Sequence, residues 1–182
     1  MDPSKTVYVA MGGNVGPTLE LIDEALAALQ ELAHGPIRLS QIYRTTPLCD
    51  QQQRDYLNAV CSFRARLEPG ALLGAMQRIE RNLGKMAKSK DAPRPIDLDL
   101  LFYGSLRMET PRLTLPHPRW QERLFVLCPL RDLTPRINVE HQWFELDELI
   151  DQLDSQAEGV VPLYMSNLLS LDPYGITQST TG

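Results

Sequence analysis

The stretch Arg94-Pro95-Ile96-Asp97-Leu98-Asp99-Leu100 limits what this chain can fold into more than any other. Side chains alternate along a strand, so Asp97 and Asp99 leave one face while Ile96, Leu98 and Leu100 leave the other and enter a core. Two carboxylates on one face repel each other unless a cation lies between them. Magnesium takes oxygen ligands and is held by one or two carboxylates together with substrate phosphates, so Asp97 and Asp99 are candidate ligands for a nucleotide-bound metal. A solvated strand face would give the same alternation, and D-x-D alone does not separate the two.

Around that strand the periodicity predicts an α+β layer. Thr6 to Met11 reads as a strand ending in Gly12-Gly13-Asn14-Val15-Gly16, after which Pro17 and Thr18 open a helix with Leu19, Ile22, Leu26 and Leu29 as its stripe. Ile37 to Thr45 and Tyr56 to Leu67 read as strands, the second with Leu57, Ala59, Cys61 and Phe63 on one face and Tyr56 and Asn58 on the other. Pro69 fits a first helical turn, Leu72, Leu73, Met76, Ile79 and Leu83 form a stripe, and Gly84 supplies a left-handed stop. A basic loop from Lys85 to Pro95 precedes the strand Ile96 to Tyr103. Beyond it the pattern predicts a short strand near Arg112 to Leu115, a helix from about Pro118 towards Leu130, and another from about Glu145 to Leu153. Hairpin-length turns as well as helical crossovers join the strands, so helices over a mostly antiparallel sheet follow more naturally than a doubly wound parallel sheet.

With 182 residues, 43% of them hydrophobic and 23% charged, one soluble domain is expected over 1–154, with 155–182 as a loosely attached tail of mixed polar, proline and glycine content. The net charge of -5 disfavours nucleic acid as a partner and requires a local basic cluster wherever a phosphate-rich ligand is bound. Cys49, Cys61 and Cys128 are scattered and odd in number, which points to a reducing cytoplasm rather than to disulfides or zinc. No apolar run reaches the roughly 20 residues of a membrane span, so no membrane partner is expected.

The cations a triphosphate needs gather around the aspartates: Lys85, Lys88, Lys90 and Arg94 before them, and Arg112, His117, Arg119 and Arg123 after. Solubility explains any one of these lysines better than it explains the set. Tyr43-Arg44-Thr45-Thr46-Pro47-Leu48, followed by Asp55-Tyr56-Leu57-Asn58-Ala59, returns a loop to a strand presenting Tyr56 and Asn58 together. A stacking ring beside an amide that donates and accepts suits a planar heteroaromatic ligand, although a tyrosine at a strand end also serves core packing. The glycine-rich segment lacks the Lys-Ser or Lys-Thr of a P-loop and reads as turn geometry. His34, His117 and His141 sit in no nucleophile motif.

Taken in order from Val7 to Leu130, the motifs G-G-N-V-G, Y-R-T-T-P-L, D-Y-L-N-A, Q-R-I-E, R-P-I-D-L-D-L, R-L-T-L-P-H-P and R-L-F-V-L-C-P-L closely resemble the hydroxymethyldihydropterin pyrophosphokinases. The resemblance implies a ferredoxin-like α+β core, a single-domain enzyme, ATP and 6-hydroxymethyl-7,8-dihydropterin as substrates, and two magnesium ions; a monomer is expected. It implies that Asp97 and Asp99 hold both metals and that Arg94 and Lys85 are the catalytic cations at the phosphates. The pterin would lie between Tyr56 and Phe125, its edge read by Asn58 and by the backbone around Thr45, Thr46 and Leu48. Gln77, Glu80, Leu100, Arg112, Thr114, His117 and Arg123 would surround ATP. The chain departs from the family in its basic loop, where Lys85, Ala87, Lys90 and Asp91 stand in place of arginines and a tryptophan. Pro118 and Thr46 replace a common aromatic and a common proline. A slower enzyme or a looser ATP site is the expectation. The alternatives are a pterin- or nucleotide-binding domain without turnover, a D-x-D nucleotidyltransferase or sugar transferase, which leaves Tyr56, Asn58 and Phe125 unexplained, and a ferredoxin-like RNA-binding module, which the acidic balance and the absence of an aromatic-rich RNP-type strand disfavour.

Overall fold

The computed structural model describes residues 5–46, 55–84, 95–153 and 159–163. In chain order the first half contains β1 (Lys5–Gly13), α1 (Thr18–Gln30), β2 (Ala33–Leu39), β3 (Tyr43–Thr45), β4 (Tyr56–Ala65), α2 (Pro69–Asn82) and β5 (Asp97–Tyr103). There follow β6 (Met108–Glu109), β7 (Thr114–Leu115), a 3-10 turn (Trp120–Glu122), α3 (Leu124–Leu133), β8 (Arg136–Val139), β9 (Gln142–Glu145), α4 (Leu146–Gln152) and β10 (Val160–Pro162). The main sheet runs β10-β3-β4-β1-β5, with β2 also paired to β4, and every pairing in it is antiparallel. Two βαβ-type halves interleaved in this order make the α+β layer that the strand pattern predicts and the ferredoxin-like core that the resemblance implies.

One face of the sheet is a continuous apolar layer. Val7, Val9 and Met11 of β1, Ala59, Cys61 and Phe63 of β4, and Leu98 and Leu100 of β5 are buried there beneath α1 and α2. The helices meet it with Ile22, Ala25 and Leu29 of α1 and Leu72, Ala75 and Met76 of α2, spacings that keep one stripe inward. Each large aliphatic side chain buried this way stabilises the fold by about 1.5–3 kcal/mol. Pro69 opens α2, and Gly84 follows it with φ of 92°, the left-handed stop that glycine adopts without a Cβ penalty.

The other face is divided. Val126, Leu127 and Leu130 of α3 pack on Val60 and Leu101, and an edge-to-face series from Phe102 to Trp120 (4.9 Å) to Phe144 (5.6 Å) ties the β8–β9 hairpin to the same cluster. A register shift between Tyr8 and Val9 sends both Leu101 and Phe102 to this side, while Leu100 and Tyr103 stay in the helical layer. The cluster includes Ala10 and Val60, level with Asp99; one step further along the same face stand Gly12, Asn58 and Asp97, and none of these last three nor Asp99 belongs to either apolar cluster.

Three local expectations change. The helix predicted from Pro118 is broken at Arg123, whose extended backbone (φ -130°, ψ 106°) separates the 3-10 turn from α3 and lets Trp120 turn inward. The strand expected over Arg112 to Leu115 shrinks to Thr114–Leu115, paired with Met108–Glu109. The strand expected over Ile37 to Thr45 is two strands: β2 begins at Ala33, because Ala33 and His34 pair with Ala65 and Arg64 before an irregularity leads to Arg38, and ends at Leu39, while β3 takes up Tyr43–Thr45. Within the segment expected as a tail, Val160–Pro162 forms β10 and pairs with β3. Among the described residues no helix is long and apolar enough to cross a membrane.

Candidate functional site

The site grows from the register of three strands. Gly12 of β1 lies opposite Asn58 of β4 on one side and Asp97 of β5 on the other, and Ala10 likewise lies between Val60 and Asp99. Two inter-strand steps put the Asn58 and Asp97 backbones about 10 Å apart, a spacing fixed by the ladder itself. The side chain of Asn58 leans over Gly12: a Cβ at that glycine would meet Asn58 Oδ1 at 2.4 Å and the Leu57 carbonyl oxygen at 3.1 Å. Asn58 Nδ2 donates to Thr45 Oγ1 at 3.0 Å, so the amide is held between β3 and β1 with its orientation set. Both Asn58 and Thr45 are buried polar groups, and Tyr56 stands half-buried next along the strand, opposite Thr45. Thr46 N–H donates to the Gly159 carbonyl at 3.3 Å.

Asp97 and Asp99 are half-buried on the face that carries Asn58, while Ile96, Leu98 and Leu100 are in the core behind them, as the alternation requires. The backbone between the two carboxylates is pinned: Leu98 N–H donates to Glu80 Oε1 at 2.8 Å, and the Glu80 carboxylate is buried. Glu80 reaches this bond from the last turn of α2, along the outer edge of β5. At the register shift the Leu101 carbonyl accepts His117 N–H at 2.9 Å. His117 Nδ1 accepts from Arg119 N–H at 3.3 Å, so a neutral imidazole carries its proton on Nε2. Burial holds the His117 pKa below the usual histidine value; the Asp99 charge opposes this, while Arg123 and Arg119 reinforce it.

Arg123 precedes α3, and its guanidinium lies over the Phe125 ring, 5.4 Å from the centroid. The structure thus brings Asn58 and Thr45 together, Asp97 and Asp99 together, His117 within electrostatic range of Asp99 and Arg123, and Arg123 onto Phe125. Gln77 is exposed on α2, Arg112 is exposed, and Thr114 is half-buried in β7. Leu100 keeps its side chain in the core, so only its backbone could meet a ligand. Leu48, Lys85 and Arg94 lie outside the described residues. Two contributors escape the sequence reading: Gly12, which sits inside β1 rather than in a turn, and Gly159, beside Thr46. A glycine within a strand pattern signals close approach of another group, and that signal was available at Gly12.

A protein-family model described as 7,8-dihydro-6-hydroxymethylpterin-pyrophosphokinase matches residues 8–135. The 2-amino-4-hydroxy-6-hydroxymethyldihydropteridine pyrophosphokinase of Synechocystis sp. is 38% identical over 150 residues, covering 82% of this chain and 76% of that protein. The Bacillus subtilis protein of the same name is 34% identical over 154 residues, covering 84% of this chain and 92% of its own length. Similarity also extends into longer proteins: the chain matches 22% of the folic acid synthesis protein fol1 of Schizosaccharomyces pombe, at 36% identity over 90% of this chain. Among solved structures, Plasmodium falciparum HPPK-DHPS with pteroate superposes with a TM-score of 0.65 at 12% identity over 82% of this chain, and the chain spans 44% of that one. That likeness bears on the fold alone.

Proposed function

The chain belongs to the 7,8-dihydro-6-hydroxymethylpterin-pyrophosphokinase family, and we propose that it transfers the terminal pyrophosphoryl group of ATP to 6-hydroxymethyl-7,8-dihydropterin in folate synthesis. The products are AMP and the pterin pyrophosphate. The observation that carries the reading is the placement of Asn58 and Asp97 on either side of Gly12, which sets an amide suited to a flat heterocycle two inter-strand steps from the nearer of two carboxylates.

The pterin lies on Asn58, between Tyr56 and Phe125, with the backbone of Thr45, Thr46 and Leu48 along its edge. Thr45 presents the Asn58 amide by accepting one of its N–H groups, which leaves the second for the ring. The nucleotide occupies the outer side of β5, against Gln77, the Leu100 backbone, Arg112, Thr114, His117 and Arg123. His117 offers its Nε2–H to a phosphate oxygen, a donor role that suits a histidine held neutral by burial. Arg94 and Lys85 serve the transferring phosphates. Glu80 acts differently from the other residues on the nucleotide side, because its Oε1 is committed to the strand that bears the carboxylates.

The donor set fits magnesium. Asp97 and Asp99 share one face of β5 and offer carboxylate oxygens, the ligands magnesium takes when it is held by one or two carboxylates together with phosphates. Two magnesium ions bound there with ATP would supply neutralisation of charge on its phosphates. The pterin hydroxyl attacks the β-phosphorus in line as the bond to the α-phosphate oxygen breaks, and the protein contributes positioning and fixed dipoles.

The test is a purified-protein assay with ATP, magnesium and 6-hydroxymethyl-7,8-dihydropterin that follows AMP and pterin pyrophosphate together, equal amounts being expected. Asp97→Ala lowers transfer by at least about 100-fold, or about 3 kcal/mol, while the melting temperature stays near that of the parent. Unchanged turnover in this variant would remove the metal assignment. Pterin binding without AMP formation in the parent would favour a binding domain that has lost the transfer.

A further inference from the structure

We infer that the segment 159–163 is a positioning element of the pterin pocket, acting through Thr45 and Thr46; this rests on the pterin reading above. β3 is short, and it bears the groups that orient the ligand amide. On one edge it pairs with β4 through Tyr43, Arg44 and Thr45, opposite Asn58, Leu57 and Tyr56. On its other edge it pairs with β10, Thr45 opposite Val160, Arg44 opposite Val161 and Tyr43 opposite Pro162. The pairing is extended at both ends, where Leu163 N–H donates to the Ile42 carbonyl at 2.8 Å and Thr46 N–H donates to the Gly159 carbonyl at 3.3 Å. From Ile42 to Thr46 the backbone is therefore held between two strands.

The contact at Gly159 is close as well as bonded. A Cβ on that residue would stand 3.1 Å from Thr46 Oγ1 and 3.6 Å from Thr46 Cβ, so the Thr46 side chain rests against the glycine backbone. The effect passes to the ligand by a short route. β10 fixes the Thr45 backbone, Thr45 Oγ1 accepts from Asn58 Nδ2 at 3.0 Å, and the Asn58 amide leans over Gly12 into the site. None of residues 159–163 needs to touch the pterin for this. They lie beyond residues 8–135, which the family model matches, so they are a contribution of this chain outside the matched region.

The nucleotide side, at β5, is separated from β10 by β3, β4 and β1. A defect at Gly159 therefore weakens pterin binding and spares nucleotide binding, a split that general destabilisation does not produce. The experiment uses the full chain and titrates 6-hydroxymethyl-7,8-dihydropterin in the presence of magnesium and α,β-methylene-ATP, whose uncleavable bridge prevents transfer; magnesium-nucleotide affinity is measured separately. Gly159→Val is expected to weaken pterin binding at least tenfold with nucleotide affinity within twofold of the parent. Adding Thr46→Ala, which removes the hydroxyl against which the new side chain is pushed, should restore most of the loss. Gly159→Ala gives a smaller change in the same direction and stands in if the valine variant fails to fold. Pterin affinity within twofold of the parent in both Gly159 variants, or equal losses of pterin and nucleotide, overturns the inference. A parent chain that binds the nucleotide but no pterin overturns the reading beneath it instead.

Discussion

Replacing Gly12 with alanine tests whether the Asn58 amide is seated by close approach rather than by its hydrogen bond alone. The added Cβ would stand 2.4 Å from Asn58 Oδ1 and 3.1 Å from the Leu57 carbonyl oxygen. The carbonyl belongs to a strand backbone and cannot retreat, so the amide swings away and its 3.0 Å bond to Thr45 Oγ1 is strained or lost. Overpacking of this kind costs about 1–3 kcal/mol, and a buried amide left poorly paired adds about 1–3 kcal/mol. The reduced entropy of the unfolded alanine chain offsets about 0.4–1 kcal/mol. A net destabilisation of about 2–4 kcal/mol, at about 2–4 °C per kcal/mol for a chain of this size, lowers the melting temperature by about 4–15 °C. Pterin affinity should fall by about 10–100-fold, the equivalent of about 1.4–3 kcal/mol, if the Asn58 amide reads the ring as proposed. Thermal unfolding and pterin titration measure the two effects. Gly74→Ala is the control: its Cβ finds only Arg78 Nη1, at 3.9 Å, and within α2 it should stabilise by about 0.5–1 kcal/mol. If Gly12→Ala matches the parent in both melting temperature and pterin affinity, the seat is not steric and the reasoning fails.

Glu80→Ala leaves the Leu98 N–H without its buried acceptor, which costs about 1–3 kcal/mol, and it loosens the strand between Asp97 and Asp99. The magnesium concentration needed for half-maximal rate should rise more than the pterin KM, and Glu80→Gln, which keeps an acceptor oxygen, should recover most of the change; equal behaviour of the two variants would refute the positioning role. Burial pushes the Cys61 thiol up to about 12, so it should resist alkylation at pH 8 in the native protein and react only on unfolding, as mass spectrometry of the labelled peptide would report. The sign of its linkage follows: stability that is whole below the ordinary thiol pKa declines as pH rises from about 9 towards 12, and rapid native labelling would contradict the placement.

The sequence carries Asp97, Asp99, Tyr56 and Asn58 onto their faces because alternation is a local property, and the same holds for the inward stripe of α2 and the stop at Gly84. What it does not carry depends on long-range register. Gly12 gains its meaning only when β4 sets Asn58 beside it, and β10 is three residues without periodicity, a strand only because β3 offers an edge. The β8–β9 hairpin is hidden for another reason. Its two linking residues, Glu140 and His141, have φ of 48° and 70°, yet the sequence there shows none of the glycine or asparagine that usually announces such a turn. The break before α3 was invisible because helical periodicity continues across Arg123, whereas inward packing of Trp120 decides the backbone.

The outer margin of β5 has a consequence for solubility. An edge strand exposes unpaired peptide groups onto which another chain can add, and a run as apolar as Leu98 to Tyr103 would be a ready template for aggregation. Here the Leu98 N–H is covered by Glu80 and the Leu101 carbonyl by His117. The side chain and the backbone that border the proposed nucleotide site therefore also shield the sheet from intermolecular growth, so damage on this side brings a tendency to self-associate along with any loss of turnover.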